Sequence, residues 1–98
     1  MNQITYEQRV EVYKEALWRY GRLMQLVVSL EELSEIQKEI CKELRGKGDP
    51  EHIAEEIADA TIMLEQLRLI FNINEPVCRK MDEKVARLAS NLGMNIYT

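Results

Sequence analysis

Ninety-eight residues, 46% of them hydrophobic, make one small domain spanning residues 1–98, and a lone chain of that size buries only about 60–65% of its unfolded surface. A thin core completed by self-association is expected. Thirteen Lys and Arg against seventeen Asp and Glu leave a formal net charge of −4, which argues against nonspecific binding to nucleic acid or to an anionic membrane surface. With 6% aromatic residues and four Gly, in a chain rich in Leu, Ile, Glu, Lys and Arg, the composition favours helix. The first residues carry no basic stretch leading into an apolar run, and nowhere do 18 apolar residues follow one another; a soluble, cytoplasmic protein is expected.

Thr5 and Gln8 fit a capping box, and Tyr6, Val10, Tyr13, Leu17 and Tyr20 keep a helical stripe as far as Gly21, which predicts a first helix over 6–19. A second helix over 22–45 carries Leu23, Leu26, Leu30, Leu33, Ile40 and Leu44 in one arc before Arg45-Gly46-Lys47-Gly48-Asp49-Pro50 ends it. Asp49 as N-cap and Pro50 at the first helical position open a third helix, which runs to about Phe71 through Ile53, Ile57, Ala60 and Leu64. The stretch Asn72–Pro76 reads as a break, and Val77, Met81, Val85, Leu88 and Leu92 mark a fourth helix that stops at Gly93. No segment alternates apolar and polar residues in strand fashion, so the expected architecture is all-α and four-helix bundle-like.

Helix two turns Glu32, Glu35 and Glu39 nearly opposite its leucine arc, yet Met24 and Val28 share that acidic side. Helix three is apolar nearly all round, since Ile62, Met63, Leu69 and Ile70 fill the flank left by its main stripe. Such a helix belongs inside a bundle or an oligomer. It nonetheless carries Glu56 and Asp59 one turn apart. Burying an unpaired carboxylate costs several kcal/mol, so these acids must be protonated, paired with a base or bound to a cation. Few bases are at hand: Lys38, Lys42 and Arg45 lie beyond the acids, and helix three has only Arg68. In an antiparallel hairpin Glu32-x-x-Glu35 and Glu56-x-x-Asp59 can converge, and an all-oxygen ligand set suits Mg²⁺ or Mn²⁺. His52, the single histidine, sits in a first turn and reads as a surface residue rather than half of a di-iron Glu-x-x-His motif. Cys41 and Cys78 lack metal-binding spacing and read as buried, reduced thiols.

The order Glu31-Glu32-x-x-Glu35, a short linker, then Glu56-x-x-Asp59 resembles the signature of the MazG-like, all-α nucleoside triphosphate pyrophosphohydrolases, relatives of the dimeric dUTPases and phosphoribosyl-ATP pyrophosphatases. The likeness covers about Gly21 to Leu92 and is moderately specific. It implies the MazG-like fold, Mg²⁺ coordination by Glu32, Glu35, Glu56 and Asp59 with Glu31 supporting, and cleavage of a (deoxy)nucleoside triphosphate between the α and β phosphates. It also implies phosphate contacts from the last helix, where Lys80, Lys84 and Arg87 form a stripe that a merely solvated face would equally explain. Lys38, Lys42 and the Arg45–Gly48 loop are further candidates. Glu35 is the candidate general base, with Glu39 one turn behind it. The rival reading is a noncatalytic regulatory or nucleotide-binding module of the same fold, and a relative acting on phosphoribosyl-ATP is a second. A homodimer or homotetramer is expected. Base preference is not legible: Trp18, Tyr20 and Asn72 read as core or capping residues before they read as base contacts.

Overall fold

The computed structural model describes residues 3–97, and among them every regular element is a helix: α1 (Tyr6–Tyr20), α2 (Arg22–Leu44), α3 (Pro50–Ile70) and α4 (Asn74–Asn91). The arrangement is all-α and bundle-like. No helix among the described residues is long and apolar enough to cross a membrane.

Local chemistry accounts for the boundaries. Thr5 and Gln8 form the reciprocal capping box that starts α1, and Asp49 accepts from the Glu51 backbone N–H at 3.0 Å to start α3 behind Pro50. A single residue, Gly21, separates α1 from α2 with φ 84° and ψ 159°, a combination open essentially to glycine alone. Asn72 takes φ 54° and closes α3: its own N–H reaches the Leu69 carbonyl while the Ile73 N–H reaches that of Arg68, a Schellman ending. That is the capping role expected of Asn72. The fourth helix departs from expectation at its start. It begins at Asn74, because Pro76 stands in the first turn, where a missing N–H costs nothing.

The central unit is the α2–α3 pair, with α1 laid across both and α4 touching α3 alone. Its internal face differs from the expected one. The buried residues of α2 are Gln25, Ser29 and Glu39, with Leu26, Val28, Glu32, Leu33, Glu35 and Ile36 half-buried, whereas Leu23, Leu30, Ile40 and Leu44 stay exposed, Leu44 by 82%. Only Leu26 and Leu33 of the expected arc turn partly inward; its other four members lie outside the core of this chain. Helix α3 buries Ala60 and Met63 but leaves Ile57 and Leu64 half open. Cys41 and Cys78 are also exposed rather than buried, as are Trp18 and Tyr20, which project from the end of α1. His52 is exposed as expected.

What holds α1 to α3 is polar. Tyr13, only 5% exposed, donates its hydroxyl to Glu65 Oε1 at 2.5 Å, while Arg9 donates from Nε to Oε1 at 3.1 Å and from Nη2 to Oε2 at 3.3 Å. Burial alone would raise the Glu65 carboxyl, but these donors, Tyr13 foremost, bring it below its ordinary 4.5. Burial, reinforced by the bond to Glu65, pushes the Tyr13 phenol up to about 12. A second tie comes from Arg22 at the start of α2, which stacks 5.0 Å from the Phe71 ring and donates to the Ile70 carbonyl at the end of α3.

The clamp gives stability two pH limits. Because the Glu65 carboxyl is depressed in the fold, its contribution is complete above pH 4.5 and is lost as pH falls through the lower folded value. The raised Tyr13 phenol contributes fully below pH 10.0 and is lost as pH rises towards about 12. Glu65→Gln should cost about 1–3 kcal/mol at neutral pH and flatten the acid limb in thermal melts recorded from pH 7 downwards.

Candidate metal centre

Small side chains on the facing surfaces bring α2 and α3 together: Ser29 and Ala60 are both buried, and the Ser29 hydroxyl is turned back onto the Leu26 carbonyl at 2.6 Å, where it asks nothing of α3. One turn further along α2 stands Glu32, opposite the Glu56-x-x-Asp59 turn of α3. One carboxylate oxygen from each of Glu32, Glu56 and Asp59 lies within 4.8 Å of the others. Three oxygens around one Mg²⁺ include at most one opposed pair, about 4.2 Å apart, with the other pairs about 3 Å apart, so these acids would share a single ion only in rotamers that draw the oxygens to those spacings.

The electrostatics describe a site short of positive charge. Burial, then the charges of Asp59 and Glu56, raise the Glu32 carboxyl above its ordinary 4.5; burial, then Asp59, Glu35 and Glu39, raise that of Glu56. Both groups are held back from ionising by neighbours of their own sign. Two carboxylate oxygens, Glu56 Oε2 and Glu39 Oε2, are out of reach of solvent and have no hydrogen-bond partner. Such atoms are costly unless a cation or proton serves them.

Of the four expected ligands, Glu32, Glu56 and Asp59 come together. Glu35 is close enough for its charge to act on Glu32 and Glu56, but its side chain is turned to Lys38, with Nζ donating to Oε1 at 3.3 Å. Glu31 is exposed on α2. Helix α4 meets neither α1 nor α2, and the exposed Lys80, Lys84 and Arg87 form no ion pair with the cluster, so this single chain does not bring its basic stripe to the acids. Lys42 is engaged with Glu39 Oε1 at 3.1 Å.

Glu39 is the residue that sequence reasoning undervalued. It is 6% exposed, the most buried acid of the group. Its angular position with Gln25, Ser29 and Glu32 was the available signal. The hollow of about 440 Å³ beside Lys14, Leu17, Trp18, Arg22 and Leu69 lies on the α1 side and includes none of these carboxylates.

Bound Mg²⁺ or Mn²⁺ should raise the melting temperature, by roughly 2.7 kcal/mol of stability at a hundred times its dissociation constant. Glu56→Gln should abolish that shift in calorimetry while raising the metal-free melting temperature at neutral pH, because it removes a like charge. Wild-type stability without metal should fall as pH rises through the elevated Glu32 and Glu56 values, the sign expected for raised carboxyls. Comparisons with protein-family models, with curated proteins and with solved structures return no match for this chain.

Proposed function

We propose that the protein is a Mg²⁺-dependent nucleoside triphosphate pyrophosphohydrolase of the MazG-like kind, acting in the cytoplasm as a homodimer or homotetramer and giving a nucleoside monophosphate and pyrophosphate. The observation that carries this reading is the convergence of Glu32, Glu56 and Asp59 beside buried, partnerless oxygens of Glu39 and Glu56. A hard cation bound there, Mg²⁺ or Mn²⁺, supplies neutralisation of phosphate charge and polarises the scissile anhydride.

The side chains divide the remaining work. Glu32, Glu56 and Asp59 would hold the cation, whose charge would offset the repulsion between a triphosphate and a chain of net charge −4. Glu35 sits at the edge of the cluster, outside the triad of converging oxygens, and would take the proton of the attacking water on the oxygen that Lys38 does not engage. That water forms the new bond to the α phosphorus as the bond from the α phosphorus to the bridging oxygen breaks, and pyrophosphate leaves with the electron pair. Lys84 and Arg87, with Lys80, serve as phosphate contacts when α4 is brought over an acidic site.

The test is pyrophosphate release from a panel of ribo- and deoxyribonucleoside triphosphates with Mg²⁺. Glu56→Gln should lower the rate by at least about 100-fold, on the scale of losing a main electrostatic contact to the reacting group; Glu35→Gln should lower kcat more than it raises KM. Binding of nucleotide without pyrophosphate release would instead identify a noncatalytic module.

A further inference from the structure

Arg68, the only Lys or Arg of α3, is half-buried and has no anion of its own. Its guanidinium offers five N–H groups. The acceptors it meets are an amide oxygen and two sulfurs: Asn74 Oδ1 at 3.4 Å and Cys78 Sγ at 3.8 Å from Nη1, and Met81 Sδ at 3.5 Å from Nη2. Sulfur accepts weakly, and all three contacts are long. Among the described residues no carboxylate forms an ion pair with it. Glu65, one turn back, feels the charge of Arg68, but its hydrogen bonds are taken by Arg9 and Tyr13.

The same guanidinium stands at a hollow of about 360 Å³ between α3 and α4, whose other walls are Leu64, Leu67, Ile73, Val77 and Met81. An apolar cavity of at least about 300 Å³ with one charged group to orient its guest is the usual form of a small-ligand site. The start of α4 adds to the positive side. It has no side-chain cap, so the leading backbone N–H groups of the helix present their partial positive charge next to Arg68. Glu75, the acid of that turn, is already held by Arg79 at 2.9 and 2.7 Å.

We propose that this hollow binds a small apolar molecule that ends in a single carboxylate, with the carboxylate on Arg68 and the apolar body against Leu64, Leu67, Val77 and Met81. A carboxylate presents two oxygens that match the guanidinium fork, and it is a far better acceptor than the sulfurs it displaces. The guest differs in kind from a nucleotide, since walls of this sort offer nothing to a polyphosphate. None of Glu32, Glu56 and Asp59 lines the hollow, so the proposal stands apart from the hydrolase reading. Helix α4 packs against α3 alone, and a guest between the two adds to the contact that holds it.

Octanoate is the probe, with 1-octanol as the same body without charge and acetate as the charge without the body. Cys78 is exposed and touches Arg68, which makes it a built-in reporter. Octanoate should slow alkylation of Cys78 by iodoacetamide in proportion to occupancy and leave Cys41, on α2, at its original rate; acetate should do neither. In calorimetry octanoate should bind at least about tenfold more tightly than 1-octanol, the scale of a hydrogen bond to a charged group. Arg68→Gln should bring octanoate down to the level of 1-octanol while 1-octanol itself binds as before, which shows the hollow intact. Val77→Trp should fill the hollow and remove both. Failure of octanoate to protect Cys78, equal protection of Cys41, or an octanoate affinity unchanged by Arg68→Gln would each overturn the proposal. So would a hollow closed by a second copy of the chain, in which neither probe binds.

Discussion

Helix α2 buries polar side chains most deeply and keeps most of its leucine arc outside, and most of the molecule follows from that orientation. Gln25, Ser29, Glu32 and Glu39 are on the inner side, Leu23, Leu30 and Leu44 on the outer one. Turned the other way, the leucines would have closed a small private core and the acids would have been solvated, each with a carboxyl near its ordinary value. As built, carboxylates are crowded where water cannot fully serve them. The fold therefore carries crowded carboxylates inside and uncovered apolar surface outside.

Two kinds of polar contact coexist in α3 and have opposite signs. Glu65 is provided with donors by Arg9 and Tyr13 and its charge is welcome. Around Asp59, six residues earlier, Glu32 and Glu56 have carboxyls raised by burial and by neighbouring acids. The difference separates Glu65, which ties α1 to α3, from the cluster, whose acids stand without a base of their own. The location of the acids on rigid helices, rather than on a loop, also keeps their spacing fixed whether or not an ion is present.

The sequence made the elements legible and their orientation only partly so. Capping signals at Thr5, Asp49 and Pro50 and the stops at Gly21, Gly46 and Gly93 were local, and they placed three helices to within a residue or two; Pro76 misled because a proline in a first turn and one in a break look alike. Glu32, Glu56 and Asp59 were readable because a carboxylate on an apolar helix demands a partner. Periodicity says which residues share a face but not which neighbour covers it, so the leucine arc of α2 was taken for the core when its own chain leaves most of it bare. The Tyr13–Glu65 bond, spanning 52 residues, has no local signal at all. Glu39 was grouped with Glu32 and Glu35 on one side of its helix, and no local signal marked it as the most deeply buried of them.

Gly21 ties these parts together. Nothing lies within 4 Å of where a side chain on it would begin, so a larger residue there would meet no wall; what it would lose is the backbone shape that aims α1 at α3. If α1 swung away, Arg9 and Tyr13 would leave with it, and Glu65 would become one more uncompensated acid on a helix that already bears Glu51, Glu55, Glu56 and Asp59. The hydrogen atom that serves as the side chain of Gly21 is thus a condition for the charge balance of a helix it does not touch.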